Sequence, residues 1–158
     1  MGTGKSTIGR KLAKRSSQQF YDSDHEIENR TGVKINLIFE IEGEAGFRKR
    51  ESQLLDELTS MSNIVLATGG GAVLSSENRA TLIERGFVVY LNSDIDQLLR
   101  RTSRDSKRPL LQNEDPEAVL KKLLDERGPL YESVADLVIN TAELSINDII
   151  TQIMSADK

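Results

Sequence analysis

The sequence predicts an α/β layered fold in which helices flank a parallel sheet. Three observations lead there. Short apolar runs of strand length recur along the chain, as in "NIVLAT" and "FVVYLN", and runs apolar on both faces belong to strands covered on both sides. Longer segments with apolar residues at helical spacing separate these runs. Strand and helix therefore alternate, the order of βαβ units around a parallel sheet.

Each element has a local reason. Residues 5 to about 15 read as a helix, with Ile8, Leu12 and the stem of Lys14 turned inward. "QQFYDSD" is a short strand, 20–22, that runs into a polar turn. Asp24 or Ser23 caps the following helix, "HEIENRTG", which Gly32 stops. "INLIFEIEGEAGFRKRESQLLDEL" is helical, with Phe47, Leu54 and Leu58 at helical spacing. Strands follow at 64–68 and 87–91, joined by the crossover helix "SENRATLIERG". "SDIDQLLRRT" starts a further helix from a Ser or Asp cap. Asp115-Pro116 begins the next, a cap followed by proline in the first turn. "ADLVINT" supplies the fourth strand, 137–140, and "SINDIITQIM" the last helix.

Composition narrows the class. The chain of 158 residues is long enough for one domain, 1–158, with a core of its own. Hydrophobic residues are 37% and charged residues 29%, the balance of a soluble protein. A net charge of -4 argues against a nucleic-acid binder, which carries a basic excess. The absence of cysteine excludes disulfides, thiolate zinc sites and cysteine nucleophiles, and it suits a reducing compartment. No apolar run has the length of a membrane span, and the N-terminus carries no apolar signal segment. A cytoplasmic protein without membrane or nucleic-acid partners is expected.

The most specific short motif opens the chain. In "MGTGKST", Gly4-Lys5-Ser6 matches the end of the phosphate-binding pattern G-x-x-x-x-G-K-[ST]. Glycines let backbone N–H groups form an anion nest, and the helix that follows adds its positive end. Gly2, Thr3, Gly4, Lys5, Ser6 and Thr7 are the candidate nucleotide-binding residues. Lys5 would reach the β- and γ-phosphates of ATP, and the Ser6 hydroxyl would ligate Mg²⁺. The first glycine of the pattern would fall two residues before Met1. The expectation is therefore that the native protein begins upstream with an apolar strand, and that the 158-residue chain folds poorly and binds ATP weakly.

Four further motifs, "FYDSD", "GEAGFRKRE", "ATGGG" and "KRPLL", with "RGPLY" after them, stand in an order and at distances that resemble the shikimate kinases of the P-loop kinase superfamily. The likeness covers essentially the whole chain. It implies a three-layer sandwich with a central parallel sheet of five strands, the first missing here, a substrate-binding helical region at about 24–60 and a lid at about 104–118. It implies ATP-dependent, Mg²⁺-dependent phosphorylation of the 3-hydroxyl of shikimate by a monomer in aromatic amino-acid biosynthesis.

Roles follow from the same resemblance. Asp22 would help hold the Mg²⁺ shell through water, because the strand at 64–68 ends in Thr68 where a Walker B strand has Asp. Asp24 would orient the substrate hydroxyl. Arg48, oriented by Glu51, and Arg127 would bind the substrate carboxylate, for which a guanidinium fork is suited. Phe39 and Phe47 would wall the pocket. Gly69, Gly70 and Gly71 would let the backbone approach substrate and γ-phosphate. Arg108 would close over the phosphates, and Arg101 would lie against adenine. Arg100, Arg101 and Arg104 also read as an exposed helix end, and His25 as a solvated helix residue. Two alternatives remain at this point: another small-metabolite kinase, such as a gluconate kinase, and a nucleotide-binding module made inactive by truncation.

Overall fold

The computed structural model describes residues 4–93 and 115–157. The expected helix at "SDIDQLLRRT", most of the lid, and Gly2, Thr3, Arg100, Arg101, Arg104 and Arg108 lie outside the described residues. The chain divides into two compact units, Gly9–Gly86 and Met1–Ile8 with Phe87–Lys158.

Helix α1, Lys5–Ser16, starts immediately after Gly4, whose carbonyl accepts the first helical bond from the Ile8 N–H at 3.0 Å. Ile8 and Ala13 are buried, at 5% and 2% exposure. Leu12 is half-buried, but Lys14 is exposed, so Ala13 takes the inward position that the sequence reading assigned to the Lys14 stem. A charged stem is the costlier choice where a methyl fits.

The unit Gly9–Gly86 is built on one parallel ladder. Strand β1, Gln19–Asp22, pairs with β2, Ile64–Ala67, and the register sets Asp22 beside Ala67. Between them run α2, Ser23–Thr31, and α3, Ile35–Thr59. The cap of α2 is Asp22, which accepts from the His25 N–H at 3.2 Å; neither Asp24 nor Ser23 fills that place. The strand leads into the helix without an intervening turn, which moves the cap back to the last strand residue. Gly32 closes α2 at φ 73°.

Helix α3 carries most of the core. Ile38, Phe47, Leu54 and Leu58 cluster with Ile27 of α2, and Tyr21, Val33, Ile35, Phe39, Ile64 and Leu66 pack around them. The helix is kinked at Gly43, whose φ of 71° and ψ of 178° are non-helical and open without strain to glycine alone. Across the kink, Arg50 donates from Nε and Nη2 to the two carboxylate oxygens of Glu42, at 2.7 and 2.8 Å. That two-pronged bond holds the Glu42 carboxyl below its ordinary pKa and raises that of Arg50. After β2 come a short 3₁₀ turn, Ala72–Leu74, and α4, Ser76–Arg85, capped by the Ser75 hydroxyl.

In the other unit, β3, Val89–Asn92, pairs in parallel with β4, Leu137–Asn140. The four described strands thus form two separate two-stranded ladders. Helix α5, Pro116–Val134, begins at the expected Asp115 cap. It continues through Gly128 and Pro129, although proline offers no N–H to the carbonyl four residues back. Past that defect the helix is tied down by Val134, 5% exposed, and by Tyr131, whose ring centroid lies 5.0 Å from that of Tyr90. Burial pushes the Tyr90 hydroxyl's pKa up. The last helix, α6, Ile146–Ala156, buries Ile149, Ile150 and Ile153.

Replacing Leu58, 1% exposed, with alanine empties a packed position. Leu58→Ala should cost about 2–5 kcal/mol of unfolding free energy. Ile41→Ala, at a side chain 72% exposed, should change it by less than about 0.5 kcal/mol. Urea melts compare the two, and similar losses would contradict this placement of the core.

Candidate functional site

Strands β1 and β2 run in the same direction, so the chain leaves both at the same end. Ser23 and Asp24 follow one strand there, and the glycines 69–71 follow the other. Carboxyl ends of parallel strands are where open α/β sheets bind ligands. The Ser23 side chain is fully buried, and its hydroxyl accepts from the Gly69 N–H at 3.0 Å.

Helix α3 brings two charged side chains to the same place. Arg48 donates from Nη1 to Glu51 Oε1 at 2.9 Å and from Nη2 to Glu44 Oε1 at 3.3 Å. One turn of helix separates Arg48 from Glu51, the spacing at which side chains meet. Glu51 has no exposed surface as a residue, whereas the Arg48 side chain keeps 22% exposure. The carboxylate is thus the buried anchor, and the guanidinium reaches outward from it. Arg48 also lies over the Phe47 ring, 5.2 Å from its centroid, and Phe47 stacks at a tilt on Phe39, 4.9 Å away. The buried Nε of Arg48 has no hydrogen-bond partner among the described residues.

The glycine loop is shaped by these groups. A Cβ on Gly69 would lie 2.7 Å from Asp24 Oδ1 and 3.1 Å from Glu51 Oε2. A Cβ on Gly71 would fall onto the Arg48 guanidinium. Gly69 and Gly71 are therefore glycines because Asp24, Glu51 and Arg48 occupy the space a side chain would need. From the far side, Asn78 Nδ2 donates to the Ala72 carbonyl at 2.9 Å and Arg79 Nη1 to that of Val73 at 2.7 Å. The first turn of α4 so holds the turn that follows the loop.

The structure brings together Asp24, Arg48, Glu51, Gly69 and Gly71 of the residues expected from sequence. Phe47, 4% exposed, belongs to the core cluster, and half-buried Phe39 packs on it. Gly70 and Thr68 are half-buried beside the loop, and His25 is exposed. Lys5 and Ser6 are half-buried and Thr7 is exposed in the first turn of α1, which contains no acidic residue. Arg127 lies in the other unit from Arg48, on α5. It is 5% exposed, and its Nε has no hydrogen-bond partner among the described residues. Sequence reasoning treated Ser23 only as a possible cap and did not find Asn78 or Arg79. The signal for Ser23 was its place between two aspartates at a strand end; Asn78 and Arg79 carried none.

Breaking a buried pair from the buried side is costly. Glu51→Ala should lower stability by about 1–3 kcal/mol, because it takes the partly buried Arg48 guanidinium's principal acceptor away, whereas Glu44→Ala, on the exposed side of the same arginine, should change it by less than about 1 kcal/mol. Thermal unfolding of both variants checks the contrast; losses of equal size would sink the assignment of Glu51 as anchor.

A family model described as shikimate kinase matches residues 1–158. A shikimate kinase of Bordetella avium is 56% identical over 154 residues, which cover 98% of this chain and 74% of that protein. One from Burkholderia pseudomallei is 54% identical, over 98% of this chain and 84% of that protein. Among solved structures, a shikimate kinase from Acinetobacter baumannii in complex with shikimate superposes with a TM-score of 0.95 at 51% identity, covering 98% of this chain and 87% of that one. The shikimate kinase from Aquifex aeolicus gives a TM-score of 0.84 at 34% identity, over 99% of this chain and 90% of that one.

Proposed function

The chain belongs to the shikimate kinase family, and from that premise we propose that it transfers the γ-phosphoryl group of ATP to the 3-hydroxyl of shikimate. The products are ADP and shikimate 3-phosphate, on the route to chorismate and the aromatic amino acids. The observation that carries the reading is the cluster of Asp24, Arg48 and Glu51 against Gly69 and Gly71. It offers a carboxylate for a hydroxyl and a guanidinium for a carboxylate, with no side chain between them and the loop backbone. The names of the relatives favour shikimate over gluconate as acceptor.

In this reading Asp24 orients the acceptor hydroxyl and takes its proton. The hydroxyl oxygen forms its bond to the γ-phosphorus as the bond to the bridging oxygen of ADP breaks. Arg48, held by Glu51, grips the substrate carboxylate. Arg127, buried and with no partner at Nε among the described residues, is the second cation for that anion, because a buried charge is costly until something neutralises it. Gly4 carries a φ of 83° and opens α1, so the N–H groups of Lys5, Ser6 and Thr7 are those a phosphate meets at a helix start. Lys5 neutralises the β- and γ-phosphates. Arg108 stabilises the transferring group, and Arg101 packs on adenine.

Ser6 and Asp22 present oxygen donors, the type that suits Mg²⁺. Asp22 already accepts the cap bond from His25, so a water-mediated role fits it better than a direct one. Among the described residues no group of three or more acidic, histidine or cysteine side chains could hold a metal. Bound Mg²⁺ would neutralise charge on the β- and γ-phosphate oxygens. No helix among the described residues is long and apolar enough to cross a membrane. The assignment of the enzyme to the cytoplasm as a monomer rests on the family resemblance alone.

Asp24→Asn keeps the shape of the side chain and removes its charge. Its kcat for shikimate should fall by about 10²–10⁴-fold, the worth of a positioned base, with ATP affinity nearly unchanged; a near-normal kcat would remove Asp24 from the mechanism. Arg48→Ala should cost about 2–5 kcal/mol of binding, which is roughly 30-fold to several thousand-fold in kcat/KM at about 1.4 kcal/mol per decade. Arg48→Lys should recover little, because an ammonium does not reproduce the fork. An analogue with a neutral group in place of the carboxylate decides the point. Arg48→Ala should lose little on it, and an equal loss on both substrates would make Arg48 a shaper of the pocket instead.

A further inference from the structure

We propose that Ser23 is a positioning residue, and that its hydroxyl sets the Gly69–Gly71 loop in place against Asp24 and Arg48. The idea deepens the shikimate kinase reading and rests on it for its catalytic consequence.

Ser23 is fully buried, between two aspartates with separate tasks. Asp22 caps α2 through its Oδ1. Asp24 presents its Oδ1 to the Cα of Gly69. Ser23 Oγ accepts from the Gly69 N–H at 3.0 Å, a bond between residues 46 apart in sequence. This link joins the start of α2 to the loop after β2 beyond the last paired residues, Asp22 and Ala67. The strand ladder alone fixes nothing past that point.

The contact is also directional. Gly69 is held by its N–H toward Ser23, while the face where a Cβ would stand is closed by Asp24 and Glu51. Gly71, two residues on, lies against the Arg48 guanidinium. A shift at Gly69 therefore moves the loop relative to the hydroxyl-orienting carboxylate and the carboxylate-binding guanidinium together. At the loop's other end Asn78 and Arg79 hold the carbonyls of Ala72 and Val73. Ser23 is the side-chain tether at the entry.

The test compares Ser23→Ala with Ser23→Thr. Alanine removes the acceptor, and threonine keeps it. Hydrogen exchange at the Gly69 amide reads the bond itself and needs no substrate. It should speed up by about tenfold in Ser23→Ala, the worth of one net hydrogen bond, and stay slow in Ser23→Thr. With shikimate and ATP, kcat in Ser23→Ala should fall by about ten- to a hundredfold, as for a small misplacement of reacting groups. The KM for ATP should hold, and Ser23→Thr should restore most of kcat. Thermal midpoints of all three proteins separate placement from folding. A lowered midpoint with unchanged kcat per folded molecule would overturn the proposal, and so would Gly69 exchange in Ser23→Ala equal to wild type. If wild type does not phosphorylate shikimate, the functional reading fails, and the Gly69 exchange ratio alone decides for or against the tether.

Discussion

A carboxylate with no exposed surface governs the shape of the site. Glu51 is charged chemistry placed where water does not reach, and such a group persists only with a partner and well-aimed hydrogen bonds. Arg48 supplies both from one turn earlier on the same helix. The cost of leaving Glu51 unpaired keeps the guanidinium in its place, and that in turn leaves no room for a side chain on Gly71. Leu54, Leu55 and Leu58, buried on the following turns, hold this stretch of α3 to the core. Packing, ion pairing and loop composition are one constraint met from three sides.

The parallel ladder of β1 and β2 supplies the other half. Its register releases both strands at one end, so an acidic helix start and a glycine loop emerge side by side without any long excursion of the chain. The first turn of α2 contains Asp24 and Glu26, whereas that of α1 contains no acid. Acids complement the positive end of a helix. Helix α2 meets that need from within the chain. Helix α1, opened by Gly4, has no acid in its first turn, and its N–H groups are the ones proposed to meet a nucleotide phosphate.

Much of this could be read from the sequence, for physical reasons that differ by element. Strands 64–68 and 137–140 were found to within a residue, because apolar runs bounded by polar turns have few other uses. The strand expected at 87–91 lies at Val89–Asn92: Phe87 is 36% exposed and stays outside the ladder, and apolarity by itself does not mark where pairing starts. Helix α5 runs on through Gly128-Pro129, where packing of Tyr131 and Val134 overrides a local preference. In the site, the Arg48–Glu51 pair was expected from the family resemblance of "GEAGFRKRE". The seat of Gly69 on Asp24 and Ser23 was not, because it joins segments 46 residues apart through a hydroxyl that has no periodicity to betray it.

The kink at Gly43 makes α3 two rods in one helix, with a consequence for how its length can vary. A residue inserted into an unbroken helix turns everything beyond it by about 100°. Within 35–42 such a change meets a residue already outside helical geometry, and the Glu42–Arg50 clamp, 34% and 45% exposed, can re-form in other geometries. The same insertion between Arg48 and Glu51 swings the guanidinium off its carboxylate with nothing to absorb the turn. Length variation among relatives should therefore gather on the N-terminal side of the kink and be absent from the rod that carries the charged pair.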